Sequence, residues 1–507
     1  MSQADTFIYD EVPYPSFVFP QTHPDRLATM GRLMGIPTAD PDECRVLELG
    51  CGDGTNLCSQ AYSLPKSSFI GIDLSTVEIE SANKTVAELG LFNIEFRQAD
   101  VTGLNVEKLG TFDFIIAHGL FSWVPDAVRP ALLDIYRTCL APNGIGYISY
   151  NALPGCHIRR ITSDLMQYHS RNETDAITKV GVGIAGLSEI ASAASDDSVY
   201  QMMLFLEAEQ IAERTLENVF HDDHSAYNQP FYFHEFCSMI ADRGLSFVCE
   251  AEPSDMLDKD LSDKALEYLD SVTNDPLVRS QYRDFITGRR FRSSLICRSS
   301  NKPATSPKPS KIDRLFLSTQ LTSSDSARYD DDSTVQFDSA SGNNLKLNHP
   351  LTKFVLLELE RCRPQTPSFS ELLDTAELSL EDEFLGDEHI ERLRGFLLQM
   401  FLAGFVKLHS FRLPVTSEIS TRPTVSKFAR WQLSRGSKTV TTFNGSNLEI
   451  EIPAVAKLIS LLDGTREVSD LVKLIAAEYG SDQPISDVET MVKENLKSLL
   501  NARLLVD

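Results

Sequence analysis

The sequence has 507 residues, which is more than one hydrophobic core usually supports, and ordinary domain sizes predict about three or four modules. Apolar residues make up 42% and charged residues 23%, as in folded proteins, which excludes a chain that is disordered throughout. The formal net charge of −25 at pH 7 repels phosphate backbones, so the composition disfavours nucleic acid as a partner and favours a basic or neutral one.

The N-terminal residues contain no basic stretch followed by an apolar core, and the sequence has no run of about eighteen apolar residues. These features predict a cytoplasmic protein without stable membrane insertion. Nine cysteines are scattered without close CxxC pairs, which predicts free thiols. The run from His221 to His224, with His234 and Glu235 further on, could supply metal ligands. No other pair completes that set, so we predict no metal site.

Short apolar runs alternate with helical stretches between residues 45 and 150. The runs indicate strands at Val46–Leu49, Phe69–Asp73, Ile94–Phe96, Phe112–Ala117 and Gly146–Tyr150. They are apolar on successive residues, as expected of a parallel sheet that is covered by helices on both faces. Together with the right-handed crossover rule, the pattern predicts a doubly wound α/β domain.

Beyond residue 155 the pattern becomes helical, and strands return at Leu245–Glu250 and Phe291–Cys297, which would complete a seven-stranded sheet. Residues rich in Ser, Pro, Asp and Asn then predict a linker. Two further stretches hold helices that end in apolar, hairpin-like tails, Phe401–Leu408 and Leu499–Val506, as small winged-helix modules do. The predicted order is a core with an N-terminal flap, 1–155; a helical insertion, 156–220; a region that completes the sheet, 221–298; a linker, 299–345; and winged-helix-like modules, 346–415 and 420–507.

The first strand runs into a loop with three glycines at alternate positions, Gly50, Gly52 and Gly54. Glycine lets the backbone turn tightly and approach a ligand. A dinucleotide site carries GxGxxG, whereas this loop carries ExGxGxG, with Glu48 in front and Cys51 between two glycines. The pattern resembles the first motif of methyltransferases, whose cofactor is S-adenosyl-L-methionine.

Two acidic residues end the next two predicted strands. Asp73, with Leu74 beside it, suits a carboxylate that accepts hydrogen bonds from both ribose hydroxyls of the cofactor. Asp100 suits the adenine amino group, with the Val101 amide reaching a ring nitrogen. Each acid taken alone is more often a helix cap or a loop residue. The glycine loop, Asp73 and Asp100 nevertheless follow three successive predicted strands, and this arrangement predicts one cofactor site.

Longer segments carry a more specific resemblance. Residues 9–16 (YDEVPYPS), 117–125 (AHGLFSWVP), 149–155 (SYNALPG) and 220–236 resemble bacterial class I methyltransferases with a methyltransferase regulatory domain, among them rickettsial protein lysine methyltransferases. The stretch around 462–465 is similar to that family's terminal winged-helix domain. The resemblance implies a Rossmann-like methyltransferase domain and N-methylation of lysine side chains in a protein substrate. It also implies a surface or outer-membrane protein as that substrate, and a homodimer as one oligomeric state.

Two candidate catalytic residues, Tyr150 and Asn151, lie just beyond the predicted central strand, in the crevice where doubly wound sheets bind ligands. They could point a phenol and an amide at an acceptor amine, whose unperturbed pKa is near 10.4. Alternatively, Tyr150 packs under the helical insertion and Asn151 caps a turn before Pro154.

Further catalytic candidates are His118 and Trp123, which follow the fourth strand with Gly119, where methyltransferases place residues near the sulfonium. An aromatic face can attract that cation, although a large apolar ring such as that of Trp123 is more often a packing anchor than a catalytic group. Tyr14 belongs to a polar segment with several prolines, which suits a flap that closes over the cofactor.

Two other functions stay open at this point. A small-molecule methyltransferase would enclose its acceptor in a pocket rather than in a groove. A non-catalytic module would bind the cofactor while its winged-helix tail engages a partner, but the intact glycine loop weighs against it. The candidate tail helices show no dense basic face for DNA, so protein contact is the preferred interpretation.

Overall fold

A computed structural model describes Val12 and residues 16–193, 198–225, 227–259, 261–324, 327–329, 333–480 and 484–506. Its centre is a seven-stranded sheet of order β3-β2-β1-β4-β5-β7-β6. The first five strands pair in parallel, and β7 runs antiparallel to both β5 and β6. This sheet confirms the predicted doubly wound fold. The strands are β1 (Arg45–Leu49), β2 (Ser68–Asp73), β3 (Ile94–Gln98), β4 (Phe112–Ala117), β5 (Leu140–Asn151), β6 (Leu245–Glu250) and β7 (Phe291–Arg298).

Helices cover both faces of the sheet, because neighbouring strand residues point to opposite sides. Val46 packs in one core cluster while Leu47 packs in the other, and both are fully buried. Local signals set the helix ends: the Ser75 hydroxyl accepts from the Glu78 amide at 3.1 Å, and Gly90 ends the same helix with φ of 71°. The helices here are α1 (Pro24–Leu33), α2 (Thr55–Ser63), α3 (Thr76–Leu89), α4 (Val106–Leu109) and α5 (Arg129–Cys139).

The region between β5 and β6 is helical and has its own core, to which Met166, Val180, Leu204 and Val219 contribute. Within the described residues, one helix, Ala176–Ala193, is long and apolar enough to span a membrane by length and composition, and a third of it is buried in the protein. A core helix of a bundle passes the same test. The helices of this region are α6 (Cys156–His169), α7 (Ala176–Ala193), α8 (Val199–Ala212), α9 (Leu216–Asp223) and α10 (Phe233–Ala241). Two more helices, α11 (Asp263–Val272) and α12 (Pro276–Thr287), lie between β6 and β7.

The stretch predicted as a linker, 299–345, is instead part of a folded middle module. Ile312, Leu315 and Leu317 are fully buried in the core cluster that also holds Leu27. The run Leu315-Phe316-Leu317 is only three residues long and lies between stretches rich in Ser, Pro, Asp and Asn, so the composition of the whole segment concealed its packing. Strand β8 pairs antiparallel with β12, which replaces the predicted local hairpin at Phe401–Leu408. The module contains β8 (Phe316–Thr319), β9 (Thr322–Ser323), β10 (Val335–Asp338), β11 (Asn344–Leu347), α13 (Pro350–Arg361), α14 (Phe369–Glu377), α15 (Asp387–Leu402) and β12 (Val406–His409).

The C-terminal module forms a separate core and rests on helix α3. Glu88 accepts hydrogen bonds from Trp431 Nε1 at 2.8 Å and from Arg435 Nη2 at 2.7 Å. Residues 439–449 form a two-stranded hairpin, called the wing hairpin below. The predicted hairpin-like tail is not one, because the last helix reaches Asn501 and Leu505 bridges to Val425. The elements are α16 (Lys427–Ser434), β13 (Thr439–Thr441), β14 (Asn447–Glu449), α17 (Pro453–Leu461), α18 (Val468–Tyr479) and α19 (Ile485–Asn501).

Candidate active site

The glycine loop joins the end of β1 to the start of α2 at the carboxyl edge of the parallel strands. Gly50, Gly52 and Gly54 have φ values of 72°, 51° and 75°, which L-residues rarely adopt. A Cβ atom on Gly54 would lie 2.4 Å from the Phe96 ring, so this glycine is also required by packing. The loop is held to the neighbouring strand because the Gly50 amide donates to the Ile72 carbonyl at 2.8 Å.

The two acidic residues predicted to bind the cofactor stand at the ends of β2 and β3. The Asp73 carboxylate accepts from the backbone amides of Gly52 and Ser75, each at 2.9 Å, which orients it beside the glycine loop. Asp100 accepts from the Thr102 amide at 2.9 Å, and this bond holds the pKa of its carboxyl below the usual value. Asp100 therefore caps a turn as well as facing the site.

A cavity of about 270 Å³ opens at this edge of the sheet. It lies where doubly wound sheets bind ligands. Gly54 lies outside its lining, and so do Tyr150 and Asn151; Tyr14 is outside the described residues. The predicted residues that line the cavity are Glu48, Gly50, Cys51, Gly52, Asp73, Leu74, Asp100, Val101, His118, Gly119 and Trp123.

Glu48 provides a buried carboxyl at the cavity wall. Its Oε1 accepts from Asn56 Nδ2 at 2.7 Å, while Oε2 accepts no hydrogen bond from any described residue. Burial raises the pKa of Glu48 to about 8, and the nearby Asp53 and Asp73 act in the same direction. An unpartnered buried oxygen of this kind fits the α-ammonium group of S-adenosylmethionine, since a cation would satisfy both its hydrogen bonding and its charge.

Residues 16–22, called the flap segment below, close one side of the cavity. Phe17 and Phe19 line it, and the Phe19 ring packs on the His118 ring with centroids 3.8 Å apart. The Phe19 amide donates to Asn56 Oδ1 at 3.0 Å, which links the segment to Glu48. Sequence reasoning missed Asn56, although its position in the first turn of α2, directly after the glycine loop and eight residues after Glu48, could have indicated it.

His118 is a neutral ring in the site. Its Nδ1 forms a 2.8 Å hydrogen bond with the Tyr147 hydroxyl, and burial lowers its pKa to about 4. The Gly119 amide donates to Ser149 Oγ at 2.8 Å, which orients the turn after β4. The end of β4 thus presents an uncharged imidazole to the cavity at neutral pH.

Tyr150 and Asn151 are the last residues of β5 rather than residues beyond it, and the structure does not bring their side chains to the cavity. The Tyr150 ring is fully buried and stacks on Phe236 with centroids 4.4 Å apart. Asn151 is buried and donates through Nδ2 to Asn228 Oδ1 at 2.7 Å. This geometry corrects the expectation that the phenol and the amide face an acceptor amine.

The wall opposite the glycine loop includes His221 and Asp222 from α9. His221 Nε2 bonds the Val12 carbonyl oxygen at 2.8 Å, and Asp222 forms ion pairs with Arg214 and Arg159. These residues were considered only as metal ligands. In the part of the chain that the structure describes, no group of three His, Cys, Asp or Glu residues is placed to hold a metal ion.

Comparisons with known proteins agree with this site. A family model described as a methyltransferase domain matches residues 46–144, and one described as a predicted methyltransferase regulatory domain matches 216–298. The uncharacterized Rickettsia prowazekii protein RP789 is 38% identical over 300 residues, which are 59% of this chain and 54% of RP789. RP028 of the same organism is 34% identical over 229 residues, which are 45% of this chain and 91% of RP028. The chain belongs to the family of class I methyltransferases with a regulatory domain.

The likeness extends to the rest of the chain. The family model described as the PKMT C-terminal winged helix domain matches residues 421–502. The structure of PKMT2 from Rickettsia typhi has a TM-score of 0.85 and 25% identity, and covers 98% of this chain and 100% of that one. PKMT2 has also been solved in complex with AdoHcy, the demethylated product of S-adenosylmethionine. S-adenosylmethionine is the cofactor of the site described here. The assignment of Glu48, Asp73 and Asp100 to its ammonium, ribose and adenine groups stays a prediction. The match to RP789 spans about half of that relative's length.

Proposed function

We propose that this methyltransferase transfers methyl groups to lysine side chains of a protein substrate. The observation that carries the proposal is the carboxylate of Asp222, on a cavity wall that none of the cofactor motifs supplies. Arg214 and Arg159 already compensate its charge, so this carboxylate offers an acceptor amine a fixed hydrogen-bond acceptor rather than a net negative charge. The likeness to PKMT2 along nearly the whole chain supports the same class of substrate.

The residues of the chain mainly position the acceptor. S-adenosylmethionine would supply a methyl group on a sulfonium, and the acceptor nitrogen must lie in line with the sulfur–methyl bond. A lysine ammonium has no lone pair, so it must first release a proton to solvent; the neutral amine then forms the nitrogen–methyl bond while the sulfur–methyl bond breaks and AdoHcy leaves. The aromatic rings of Phe19 and Trp123 line the cavity and can hold a cationic amine against their faces. Because His118 is neutral, it adds no positive charge that would repel the amine. Asp222 orients the amine, while Arg214 keeps the carboxylate in place.

A homodimer and a surface or outer-membrane substrate stay predictions. Helix α8 supports the first, because it exposes a group of large apolar side chains that a second copy could cover. The exposed fractions are 85% for Val199, 67% for Met202, 51% for Phe205 and 51% for Leu206. A cytoplasmic location would require an exported substrate to be methylated before export.

The proposal is tested with S-adenosylmethionine that carries a tritiated methyl group. The full chain is incubated with bacterial lysate, protein and small-molecule fractions are counted separately, and labelled residues are identified by mass spectrometry. We expect label on lysine side chains. Asp222→Asn should lower kcat/KM for the protein substrate about tenfold, because it removes a charged hydrogen-bond acceptor.

The matched control is Glu217→Gln, an exposed acidic residue on the same helix, which should leave kcat/KM unchanged. Both variants should bind AdoHcy within twofold of wild type. Label confined to small molecules would favour a small-molecule methyltransferase, and cofactor binding without any transfer would favour a regulatory module.

A further inference from the structure

The wing hairpin of the C-terminal module contacts the flap segment, which precedes it by more than four hundred residues. Asn447 Nδ2 donates to the Val18 carbonyl oxygen at 2.8 Å. Val18 is buried, and its neighbours Phe17 and Phe19 line the cofactor cavity. One hydrogen bond therefore connects the tip of the last module to the wall of the active site.

A second contact of the same hairpin lies one turn further along the flap. Gly445 has φ of 76°, and a Cβ atom on it would lie 3.2 Å from His23 Cδ2. The buried His23 caps helix α1, since its Nδ1 accepts from the Asp25 amide at 3.2 Å, and its Nε2 bonds Ser63 on α2. The hairpin thus packs directly on His23, which lies between the flap segment and the first residue of α1.

The hairpin cannot move independently of the catalytic domain, because the module that carries it is anchored there. Lys427 Nζ donates to the Leu89 carbonyl at 2.9 Å, and the Lys427 amide donates to the Tyr62 hydroxyl at 2.9 Å. Lys407 Nζ in the middle module donates to Ser446 Oγ at 3.0 Å. These bonds hold the wing hairpin at a defined place beside the flap.

The middle module contacts helix α1, to which the flap segment is joined. Asp25 at the start of α1 accepts from the Ser410 amide at 2.6 Å, and its second carboxylate oxygen bonds His409 Nδ1 at 2.7 Å. Arg32 on the same helix donates to the Ser410 carbonyl at 2.6 Å. The C-terminal module therefore contacts the flap segment itself, while the middle module contacts helix α1, which follows the flap segment directly.

We infer that Asn447 and Gly445 are positioning residues for cofactor binding, through which the wing hairpin holds the flap segment closed against the cavity. Without these contacts, residues 16–22 leave the cavity more often, and the bound cofactor loses the wall formed by Phe17 and Phe19. The inference concerns the cofactor cavity and is independent of which acceptor is methylated. If the inference failed, the proposed lysine specificity would be unaffected. If the lysine specificity failed, the inference about the flap segment would be unaffected.

The test measures AdoHcy affinity of the full chain by calorimetry in four variants. Asn447→Ala should weaken binding about threefold to tenfold, as expected for the lost hydrogen bond to Val18; it also removes the acceptor of the Thr441 hydroxyl within the hairpin. Its control is Asn444→Ala, in the same hairpin, where the side chain bonds Thr442 within the hairpin. Gly445→Ala should weaken binding similarly, and its control is Gly436→Ala, which has φ of 80° but no atom within 4 Å of the added Cβ.

The two glycine variants pay the same backbone strain, so a difference between them isolates the contact with His23. Hydrogen exchange of the Phe17 and Phe19 amides should accelerate in Asn447→Ala and Gly445→Ala and stay at the wild-type rate in both controls. AdoHcy affinity within twofold of wild type in both test variants, with unchanged exchange of the flap amides, would overturn the inference. An equal loss of affinity in test and control variants would overturn it too, because it would indicate a general loss of stability.

Discussion

The two sides of the cofactor cavity are built in different ways. The glycine-loop side consists of residues that follow adjacent parallel strands and bond to one another, as Gly52 bonds to Asp73 at 2.9 Å. The flap side is held by Asn447, which bonds to Val18, and its neighbouring helix α1 is held by Ser410, which bonds to Asp25; both partners are far away in the chain. The first side depends on a local motif, whereas the second depends on the assembly of three modules. Cofactor affinity should therefore respond to substitutions near the loop and, more weakly, to substitutions in the C-terminal half.

The largest effect is expected on the glycine-loop side. Asp73→Ala removes the acceptor for two ribose hydroxyls and frees the amides of Gly52 and Ser75. At about 1.5–3 kcal/mol for each hydrogen bond to a charged group, AdoHcy affinity should fall at least about a hundredfold. Calorimetry on the full chain measures this, with Glu80→Ala on the exposed face of α3 as the control. A loss of affinity below threefold would contradict the expectation that substitutions at the glycine loop have the largest effect on cofactor binding.

The fold was predictable from sequence where the apolar runs were continuous. Strands Phe112–Ala117 and Leu245–Glu250 were predicted with the bounds that the structure has. The stretch 299–345 was predicted wrongly because its buried residues, such as Leu317 and Phe337, lie in short apolar patches between polar stretches. The strand that contains Leu317 pairs with β12, which comes about ninety residues later in the chain.

The site was predictable only where it follows strand ends. The loop and the two acidic residues lie at the cavity as expected, whereas Asp222 comes from a helix whose position depends on tertiary packing. Tyr150 was misplaced because β5 is buried on both faces, so its sequence carries no alternation that distinguishes them. Tyr147 points to the side of His118, and Tyr150 points to the opposite side.

The second effect on the glycine-loop side is a dependence of cofactor affinity on pH. Because the pKa of Glu48 is raised to about 8, the group is mostly protonated at neutral pH and must lose its proton to pair with an ammonium. AdoHcy affinity should therefore rise between pH 6 and 8, by at most about tenfold per unit. Glu48→Gln should bind weakly with little pH dependence. Calorimetry in two buffers of different ionisation enthalpy counts the released proton, and a count of zero at pH 7 would contradict the assignment.

The smallest effect is expected from a residue outside both sides of the cavity. Tyr150→Phe removes a hydroxyl whose contact is Ser294 Oγ at 3.5 Å in the core, so single-turnover methyl transfer should stay within twofold of wild type. Tyr147→Phe, which removes the bond to His118, is the comparison variant and should reduce the rate more. If Tyr150→Phe slowed the step a hundredfold, the phenol would act on the acceptor as a general base would.

The bond from Asn447 to Val18 also has a consequence for the order of events during synthesis. A growing chain folds its N-terminal region first, so the sheet and the glycine loop can assemble while the C-terminal half is still being translated. Asn447 leaves the ribosome 429 residues after its partner Val18 in the flap segment. Ser410 leaves it 385 residues after its partner Asp25 on helix α1. A nascent chain therefore contains the glycine loop long before the wing hairpin can hold the flap segment against the cavity.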